Sequence, residues 1–215
     1  MRTEELDKFA VDFIRSRGAI PAFKGYRGFP ANICVSINET VVHGIPSARK
    51  IIAGDCVSID VGLEYKGFFA DAAITVPTEQ VDAEKLRLIS VTRTSLDRGI
   101  EAARINNRIG DISHAIQSYV ESAGFSVVRE YVGHGIGYMI HEDPPIPNFG
   151  PPGKGIRLKE GMVLAIEPMV NMGTYEVEVL DDHWTVVTKD RLPSAHFEHM
   201  VVVTRTGPRL LTTGY

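Results

Sequence analysis

The chain has 215 residues, of which 44% are hydrophobic and 23% charged, a composition typical of a folded globular protein rather than a disordered one. Its net charge of −4, without a long basic run, argues against a nucleic-acid partner. No apolar run has the length of a membrane helix, no signal-peptide core is present, and two cysteines, Cys34 and Cys56, fit a reducing compartment. We therefore expect a cytoplasmic protein, most simply an enzyme, without a membrane partner.

Helical and β-like patterns alternate along the chain. Apolar spacing predicts a helix over residues 3–17, with Thr3 as its N-cap and Gly18 at its end. Residues 33–42 are β-like, and residues 55–76 predict a hairpin that turns near Tyr65 and Lys66. The later segments predict helices over 82–104 and 111–123, Gly/Pro-rich loops at 133–137 and 143–155, and strands at 162–170, 175–188 and 197–204.

The two shorter helices belong to a weak internal repeat with an offset of 106 residues, in which Gly18 aligns with Gly124. Such a repeat predicts a single domain with a pseudo-two-fold α/β core, whose halves are about 1–78 and 79–215. The long helix of the second half has no counterpart in the first half. Either this protein dispenses with that helix, or the chain begins late relative to a longer parent.

The predicted hairpin carries two acids where strands should be apolar. A turn at Tyr65 and Lys66 places Asp60 directly opposite Asp71, with Cβ atoms roughly 5 Å apart on one face. Two ionised carboxylates cannot be buried together unpaired, so either one is protonated or a cation lies between them. The alternative is that one Asp pairs with a Lys or Arg in a different register.

Two later β-like segments repeat this anomaly, because Glu167 and Glu198 each interrupt an apolar run. Each could be an edge-strand residue that faces solvent, but a shared divalent-metal site explains all four acids together. His134, between glycines, can supply a nitrogen ligand, and His43 lies at the end of a β-like run. A carboxylate-rich set with one histidine favours Mn, Fe or Co. Four other histidines are interpreted as surface or packing residues: His114, His183, His196 and His199.

Seven short motifs, in their order along the chain, closely resemble type I methionine aminopeptidase, a metallopeptidase family of the pita-bread fold. The motifs are HGIP at 43–46, SIDVG at 58–62, FADAAITV at 69–76, GHGIG at 133–137, HEDP at 141–144, IEPMV at 166–170 and FEHMVVVT at 197–204. The resemblance extends from about residue 3 to residue 212. It implies an α/β (α+β) fold with a pseudo-two-fold antiparallel sheet core and helices packed on its outer face.

The resemblance implies that two divalent cations, of the Co, Mn, Fe, Zn or Ni class, bind the chain. Asp71 and Glu198 would bridge the two ions, and Asp60 would chelate one of them. His134 and Glu167 would complete the other. A bridging water would attack the first peptide bond, and Glu167 would accept its proton and later help to protonate the leaving amine.

The resemblance also implies how substrate is held. His141 would stabilise the oxygen of the tetrahedral intermediate, and His43 would contact the scissile amide nitrogen. The methionine pocket would be formed by Phe23, Tyr26, Phe29, Cys34, Ile140 and Trp184, whose aromatic rings suit a thioether, although an ordinary core is the alternative. Some relatives have a monovalent-cation site, and the resemblance implies that its residues here are Asn38, Thr40 and Ser194.

The implied activity is removal of the initiator methionine from nascent proteins and peptides when the second residue is small. We expect a monomeric cytoplasmic enzyme, with transient ribosome association possible, that lacks the N-terminal helix usual in the family. Two alternatives stay open. An X-Pro aminopeptidase or prolidase shares the fold but usually carries an additional N-terminal domain, and a non-catalytic binding protein of this fold typically loses metal ligands.

Overall fold

The structure is a computed structural model that describes residues 1–213. This part of the chain folds into helices and antiparallel sheets. The helices are α1 (Thr3–Ser16), α2 (Ala83–Ala102) and α3 (Ile109–Ser122), with one 3₁₀ turn at Tyr26–Gly28. The strands are β1 (Ile20–Pro21), β2 (Cys34–Ile37), β3 (Thr40–Val42), β4 (Cys56–Tyr65), β5 (Phe68–Pro77), β6 (Ser126–Val127), β7 (Gly133–Gly135), β8 (Glu142–Ile146), β9 (Val163–Ile166), β10 (Met169–Asn171), β11 (Val177–Val179), β12 (Val186–Thr188), β13 (Ser194–His196), β14 (His199–Thr204) and β15 (Gly207–Leu210).

The strands form four sheets that meet near the centre of the molecule. In the first, β4 pairs with β5 along one edge and with β2 and β1 along the other. The largest has the order β15–β14–β9–β7–β8, and two smaller sheets have the orders β13–β10–β6 and β11–β12–β3. The Glu198 backbone N–H donates to the Ala73 carbonyl at 2.9 Å, so the first and largest sheets are joined between β5 and β14.

The helices cover the outer faces of the sheets. Side chains of α1 pack against an apolar cluster of β2 and β4 that includes Ile33, Val35 and Val57. A larger cluster joins α2 and α3 to β9 and β14, with Ile116 and Leu164 among its fully buried members. Alternation along β4 therefore directs one face of the strand to the core and leaves the other face for polar side chains.

The β4–β5 hairpin turns one residue later than the sequence predicts. Tyr65 pairs with Phe68, so the turn consists of Lys66 and Gly67, whose φ values are 53° and 82°. Positive φ at both positions matches the twist of a two-residue hairpin, and glycine adopts it without steric cost.

This shift in register changes the partners of the two acids. Asp60 lies opposite Ala73, and Asp71 lies opposite Gly62, so the prediction that the carboxylates face each other directly was wrong. Asp71 and Ala73 are two residues apart and therefore share a face of β5. The acids remain on the same face of the hairpin, as diagonal neighbours.

Backbone N–H groups at the start of α1 and α3 are capped in the same way. Arg2, rather than Thr3 as predicted, is the N-cap of α1, and the Glu5 carboxylate accepts from its N–H at 2.6 Å. In α3 the Asp111 carboxylate accepts from the Arg108 N–H at 2.7 Å. Both ends of α3 lie 106 residues after those of α1. None of the helices in residues 1–213 is long and apolar enough to cross a membrane.

Candidate metal centre

The acidic side chains converge where the β4–β5 hairpin meets β14. Asp60 pairs with Ala73, and Ala73 forms a bridge to Glu198, so these three residues lie in one row across the sheets. Asp71 lies two residues from Ala73 on the same face of β5. The backbone pairing thus brings three acids from distant parts of the chain into one buried patch.

The largest sheet adds His134 and Glu167 to this patch. His134 pairs with Ala165 on β9, and Glu167 follows the end of β9, where Glu167 and Pro168 separate it from β10. The predicted strand over 162–170 is therefore divided at Glu167. The Nε2 atom of His134 lies 3.5 Å from Oε1 of Glu167.

The five candidate ligands line one cavity of about 330 Å³: Asp60, Asp71, His134, Glu167 and Glu198. One ligand atom from each of Asp71, His134 and Glu198 lies within 4.8 Å of the other two. These distances between ligand atoms are short enough for the three side chains to bind one small ion. Glu198 is 2% exposed, so it is not the solvent-facing edge residue of the alternative interpretation.

In the part of the chain that the structure describes, no lysine or arginine forms an ion pair with these carboxylates. Within residues 1–213, the ion pairs formed by Lys and Arg all involve other acids. Three buried oxygens accept no hydrogen bond: Oδ1 of Asp60, Oδ1 of Asp71 and Oε1 of Glu198. A buried, unpaired carboxylate costs several kcal/mol, roughly, and the cost rises when like charges face one another.

Burial raises the pKa values of the four acids among the candidate ligands. It raises the pKa of Asp60 to about 6 and that of Glu167 to about 7. It raises the pKa values of Asp71 and Glu198 well above the ordinary range, and the neighbouring carboxylates raise them further. Without a cation, the patch is therefore stable only when it retains protons.

The chemistry of the donor atoms fits a divalent cation. His134 Nδ1 lies 2.9 Å from the Gly135 carbonyl, which can only accept, so Nδ1 carries the proton and Nε2 has a free lone pair. Burial raises the pKa of the Cys34 thiol well above its ordinary value, so this cysteine is no thiolate ligand. Orphaned carboxylate oxygens with imidazole nitrogen suit divalent ions of the Mn, Fe, Co, Ni or Zn class.

His43 and His141 stand on the wall of the same cavity. The backbone of His43 has a φ of 59°, and such strain in a residue with a side chain tends to cluster at functional sites. His141 Nδ1 forms a hydrogen bond with Tyr26 Oη at 2.9 Å, and the two rings stack. Burial lowers the pKa of both histidines to about 4, so both imidazoles are neutral near pH 7.

An apolar wall completes the cavity beside the acids. Phe23, Tyr26, Phe29, Cys34 and Trp184 line it, and the Trp184 ring meets Phe29 edge to face at 5.2 Å between centroids. Ile140 packs in the same apolar cluster but does not itself line the cavity. The five candidate ligands thus form one side of the cavity, called the cavity floor below, and these apolar residues form an aromatic pocket beside it.

His196 is a cavity residue that the sequence analysis missed. Its interpretation as a surface or packing residue was wrong, because it lines the cavity and its Nε2 lies 3.5 Å from Oε2 of Glu167. The available signal was its position two residues before Glu198 in an extended segment, which places both side chains on one face. Other lining residues that were not predicted are Arg27, Val42, Glu130, Tyr131, Val132 and Met169.

The residues matched to a monovalent-cation site lie at the junction of β3 and β13. The Ser194 N–H donates to the Asn38 carbonyl at 2.8 Å, and Thr40 begins β3 close to this contact. The Ser194 hydroxyl donates to the Val170 carbonyl at 3.1 Å. The structure therefore brings Asn38 and Ser194 together, beside β3, which His43 follows, and β13, which ends at His196.

Comparison with known proteins places this geometry in context. The model of metallopeptidase family M24 matches residues 1–205. The chain is 54% identical over 210 residues to methionine aminopeptidase 1 of Bacillus subtilis (strain 168), a match that covers 98% of this chain and 85% of that protein. A crystal structure of methionine aminopeptidase from Rickettsia prowazekii matches with a TM-score of 0.98 at 43% identity, over 99% of this chain and 86% of that one.

A more distant likeness shows the fold alone. Prolidase from Pyrococcus furiosus matches with a TM-score of 0.80 at 23% identity, over 100% of this chain and 56% of that chain. Together these likenesses confirm the pita-bread fold that the sequence resemblance implies.

The proton affinity of the cavity predicts an unusual pH dependence of stability without metal. Burial and the neighbouring carboxylates raise the pKa values of Asp71 and Glu198 in the folded chain well above those of the same carboxyls in the unfolded chain, which are about 4. The folded state then binds more protons than the unfolded state, so its stability falls as the pH rises. We expect the unfolding temperature of the chelator-treated chain, measured by calorimetry, to fall as the pH rises through the range in which these two carboxyls ionise.

Two comparisons check the cause of that fall. Glu198→Gln, which cannot ionise, should show a smaller fall, and saturating Mn²⁺ should remove most of it. An unfolding temperature that rises with pH in the chelator-treated chain would contradict the prediction.

Proposed function

The chain belongs to metallopeptidase family M24, and on that premise we propose how its residues carry out the metal-dependent removal of N-terminal methionine from peptides and nascent proteins. We assign the roles from one observation. Carboxylates without hydrogen-bond partners among the described residues and an aromatic pocket lie in the same cavity. The carboxylates can bind cations, and the aromatic pocket can bind an apolar side chain. A peptide bond between the two therefore lies close to both.

In this proposal, four acids and one histidine of the cavity would hold two divalent cations. The residues that would hold them are Asp60, Asp71, His134, Glu167 and Glu198. When bound, such ions lower the pKa of water towards neutrality and polarise the peptide carbonyl. The ions are drawn from Co, Mn, Fe, Zn and Ni, which the mixed oxygen and nitrogen donors accommodate.

Glu167 transfers the proton. Its carboxylate lies in the cavity beside the other candidate ligands, where it can accept a proton from the attacking water as a general base. It takes a proton from the attacking water on one carboxylate oxygen and later helps deliver a proton to the leaving amine nitrogen.

Two neutral histidines act on the peptide bond. His141, held by Tyr26 at 2.9 Å, donates from its ring to the oxygen of the tetrahedral intermediate. His43 contacts the scissile amide nitrogen from the wall formed by Tyr131 and Trp184, whose rings meet it edge on. Their depressed pKa values keep both rings uncharged, so they do not compete with the cations for the carboxylates.

The aromatic wall receives the methionine side chain. Phe23, Tyr26, Phe29 and Trp184 surround the pocket with Cys34, and Ile140 supports them from behind. Contacts between sulfur and aromatic rings add about 0.3–1.5 kcal/mol each, which favours methionine over an aliphatic residue of similar size. We propose that the second substrate residue must be small because His43 and Trp184 crowd the scissile bond.

Further parts of the proposal concern the protein as a whole. Residues 1–215 act as a single catalytic domain, with pseudo-repeats of about 1–78 and 79–215, as a cytoplasmic monomer that associates transiently with ribosomes. Asn38, Thr40 and Ser194 bind a monovalent cation that ties β3 to β13. The contact between Ser194 and Asn38 supports that location.

The activity is tested by release of free methionine from the peptide Met-Ala-Ser. We expect chelator-treated chain to be inactive and to gain activity when Mn²⁺, Fe²⁺ or Co²⁺ is added. Asp71→Ala should lower the rate more than about 100-fold, since even outer-shell partners of a metal contribute about 10- to 100-fold. Asp12→Ala is the matched control, because Asp12 is exposed on α1 and does not line the cavity.

The same assay distinguishes the alternatives. Cleavage of X-Pro peptides with Met-Ala-Ser left intact would assign the site to an X-Pro peptidase. Stoichiometric metal binding without cleavage of either peptide would instead indicate a non-catalytic binding protein.

The pocket is tested through Gly62, which lies beneath Phe23. A Cβ atom at position 62 would lie 2.2 Å from the Phe23 ring, so Gly62→Ala must displace the ring within the pocket. We expect kcat/KM for Met-Ala-Ser to fall about 10- to 100-fold, as when a binding group is misplaced by about 1 Å. Bound metal, measured by elemental analysis, should be unchanged.

Gly67→Ala is the control for general destabilisation, since a Cβ there meets no atom within 4 Å although φ is positive. That variant should lose stability but retain kcat/KM. Parent-like kcat/KM in Gly62→Ala would show that Phe23 does not shape the methionine pocket.

A further inference from the structure

Trp184 reaches the aromatic pocket from a hairpin at the surface of the molecule. The hairpin joins β11 to β12, and the Leu180 N–H donates to the Thr185 carbonyl at 2.9 Å across the base of its loop. Residues 181–183 are exposed, and His183 has a φ of 64°. Apolar packing of these residues is therefore too slight to hold the backbone that leads to Trp184.

The Asp182 carboxylate holds the backbone of this loop instead. Its Oδ1 accepts from the Trp184 N–H at 2.9 Å and from the Thr185 N–H at 2.8 Å. Its Oδ2 accepts from the Thr185 hydroxyl at 2.5 Å. The peptide groups on both sides of the Trp184 α-carbon are thus bound to one oxygen atom, which restrains the φ and ψ angles from which the indole ring projects.

These three hydrogen bonds need a carboxylate whose two oxygens both accept. Partial burial raises the pKa of Asp182, but the hydrogen bonds from the Thr185 hydroxyl and from the two N–H groups outweigh it and bring the pKa below its ordinary value. Asp182 is therefore ionised near pH 7. Hydrogen bonds to an ionised acceptor are roughly twice as strong as those between neutral groups.

The indole ring contacts two different parts of the cavity. It meets Phe29 of the aromatic pocket edge to face at 5.2 Å between centroids, and it meets His43 edge to face at 6.3 Å. A change in the direction of the ring would alter both the pocket and the surroundings of His43. Misplacement of a binding group by about 1 Å can lower a rate by up to about 100-fold.

We propose that Asp182 is a positioning residue for methionine recognition, which sets the direction of the Trp184 ring through hydrogen bonds on both sides of its α-carbon. The inference rests on the proposed function, because it requires the aromatic pocket to bind the methionine side chain. Asp182 and Thr185 do not line the cavity, whereas Trp184 does. Their effect on substrate therefore passes through the indole ring.

Fluorescence tests the effect on the ring directly, because Trp184 is the only tryptophan of the chain. We expect Asp182→Ala, which removes all three hydrogen bonds, to shift the emission to longer wavelength and to increase quenching by acrylamide, since the ring becomes more accessible to water. Asp182→Asn keeps an oxygen that can accept from both N–H groups, so it should restore most of the parent behaviour. Thr185→Val removes only the hydroxyl and should cause a smaller change than Asp182→Ala.

Kinetics shows whether the direction of the ring matters for the reaction. We expect kcat/KM for Met-Ala-Ser to fall about 10-fold in Asp182→Ala and by a smaller factor in Asp182→Asn. Bound Mn²⁺, measured by elemental analysis, should equal that of the parent chain, which a general loss of structure would not leave unchanged. Asp181→Ala is the matched control, because it removes an exposed acid from the same loop and should retain both the fluorescence and kcat/KM.

Failure of this inference differs from failure of the proposed function. Parent-like quenching in Asp182→Ala would overturn the role of Asp182, as would altered quenching with parent-like kcat/KM, and both results leave cleavage by the parent chain intact. A metal-loaded parent chain that leaves Met-Ala-Ser uncut, and whose fluorescence does not respond to added methionine, would overturn both. If circular dichroism shows that Asp182→Ala does not fold, parent-like quenching and kcat/KM in Thr185→Val would overturn the inference.

Discussion

Asp60, Asp71 and Glu198 repel one another in a cavity where no lysine or arginine of the described residues forms an ion pair with them, and a divalent cation reverses that repulsion. This constraint explains why the acids lie on paired strands. The hydrogen-bonded row from Asp60 through Ala73 to Glu198 resists the separation that like charges would otherwise produce. The apolar cores behind the sheets, beneath α1 and beneath α2 and α3, keep that row in place.

The remaining parts of the cavity are adapted to a charged floor. The side chains of Cys34, His43 and His141 carry no charge near pH 7, so the cations remain the main positive charges facing the carboxylates. Aromatic side chains border the floor and exclude water from it, which strengthens the electrostatic interactions there. One cavity can therefore bind an apolar side chain and act on the adjacent peptide bond.

Much of this site could be predicted from the sequence, because an isolated acid in an apolar run has no ordinary place in a strand. The motifs around Asp60, Asp71, His134, Glu167 and Glu198 indicated the metallopeptidase family, and family membership and fold are confirmed. The hairpin register was not predictable from alternation alone, since Lys66 takes positive φ beside Gly67.

His196 shows why the rest could not be predicted. Its place in the cavity depends on Glu167, 29 positions earlier along the chain, and on Thr75, which fixes its backbone from the first sheet. Local composition around His196 contains neither partner. The N-cap of α1 was missed for a similar reason, because the Thr3 hydroxyl is recruited by the distant Ser47 backbone.

The most direct test of the metal centre is anomalous diffraction from crystals of the full chain grown with Mn²⁺. The account predicts two anomalous peaks in the cavity, both in contact with Asp71 and Glu198, with Asp60 on one and His134 and Glu167 on the other. An empty cavity at saturating Mn²⁺, or peaks only on surface carboxylates, would contradict it.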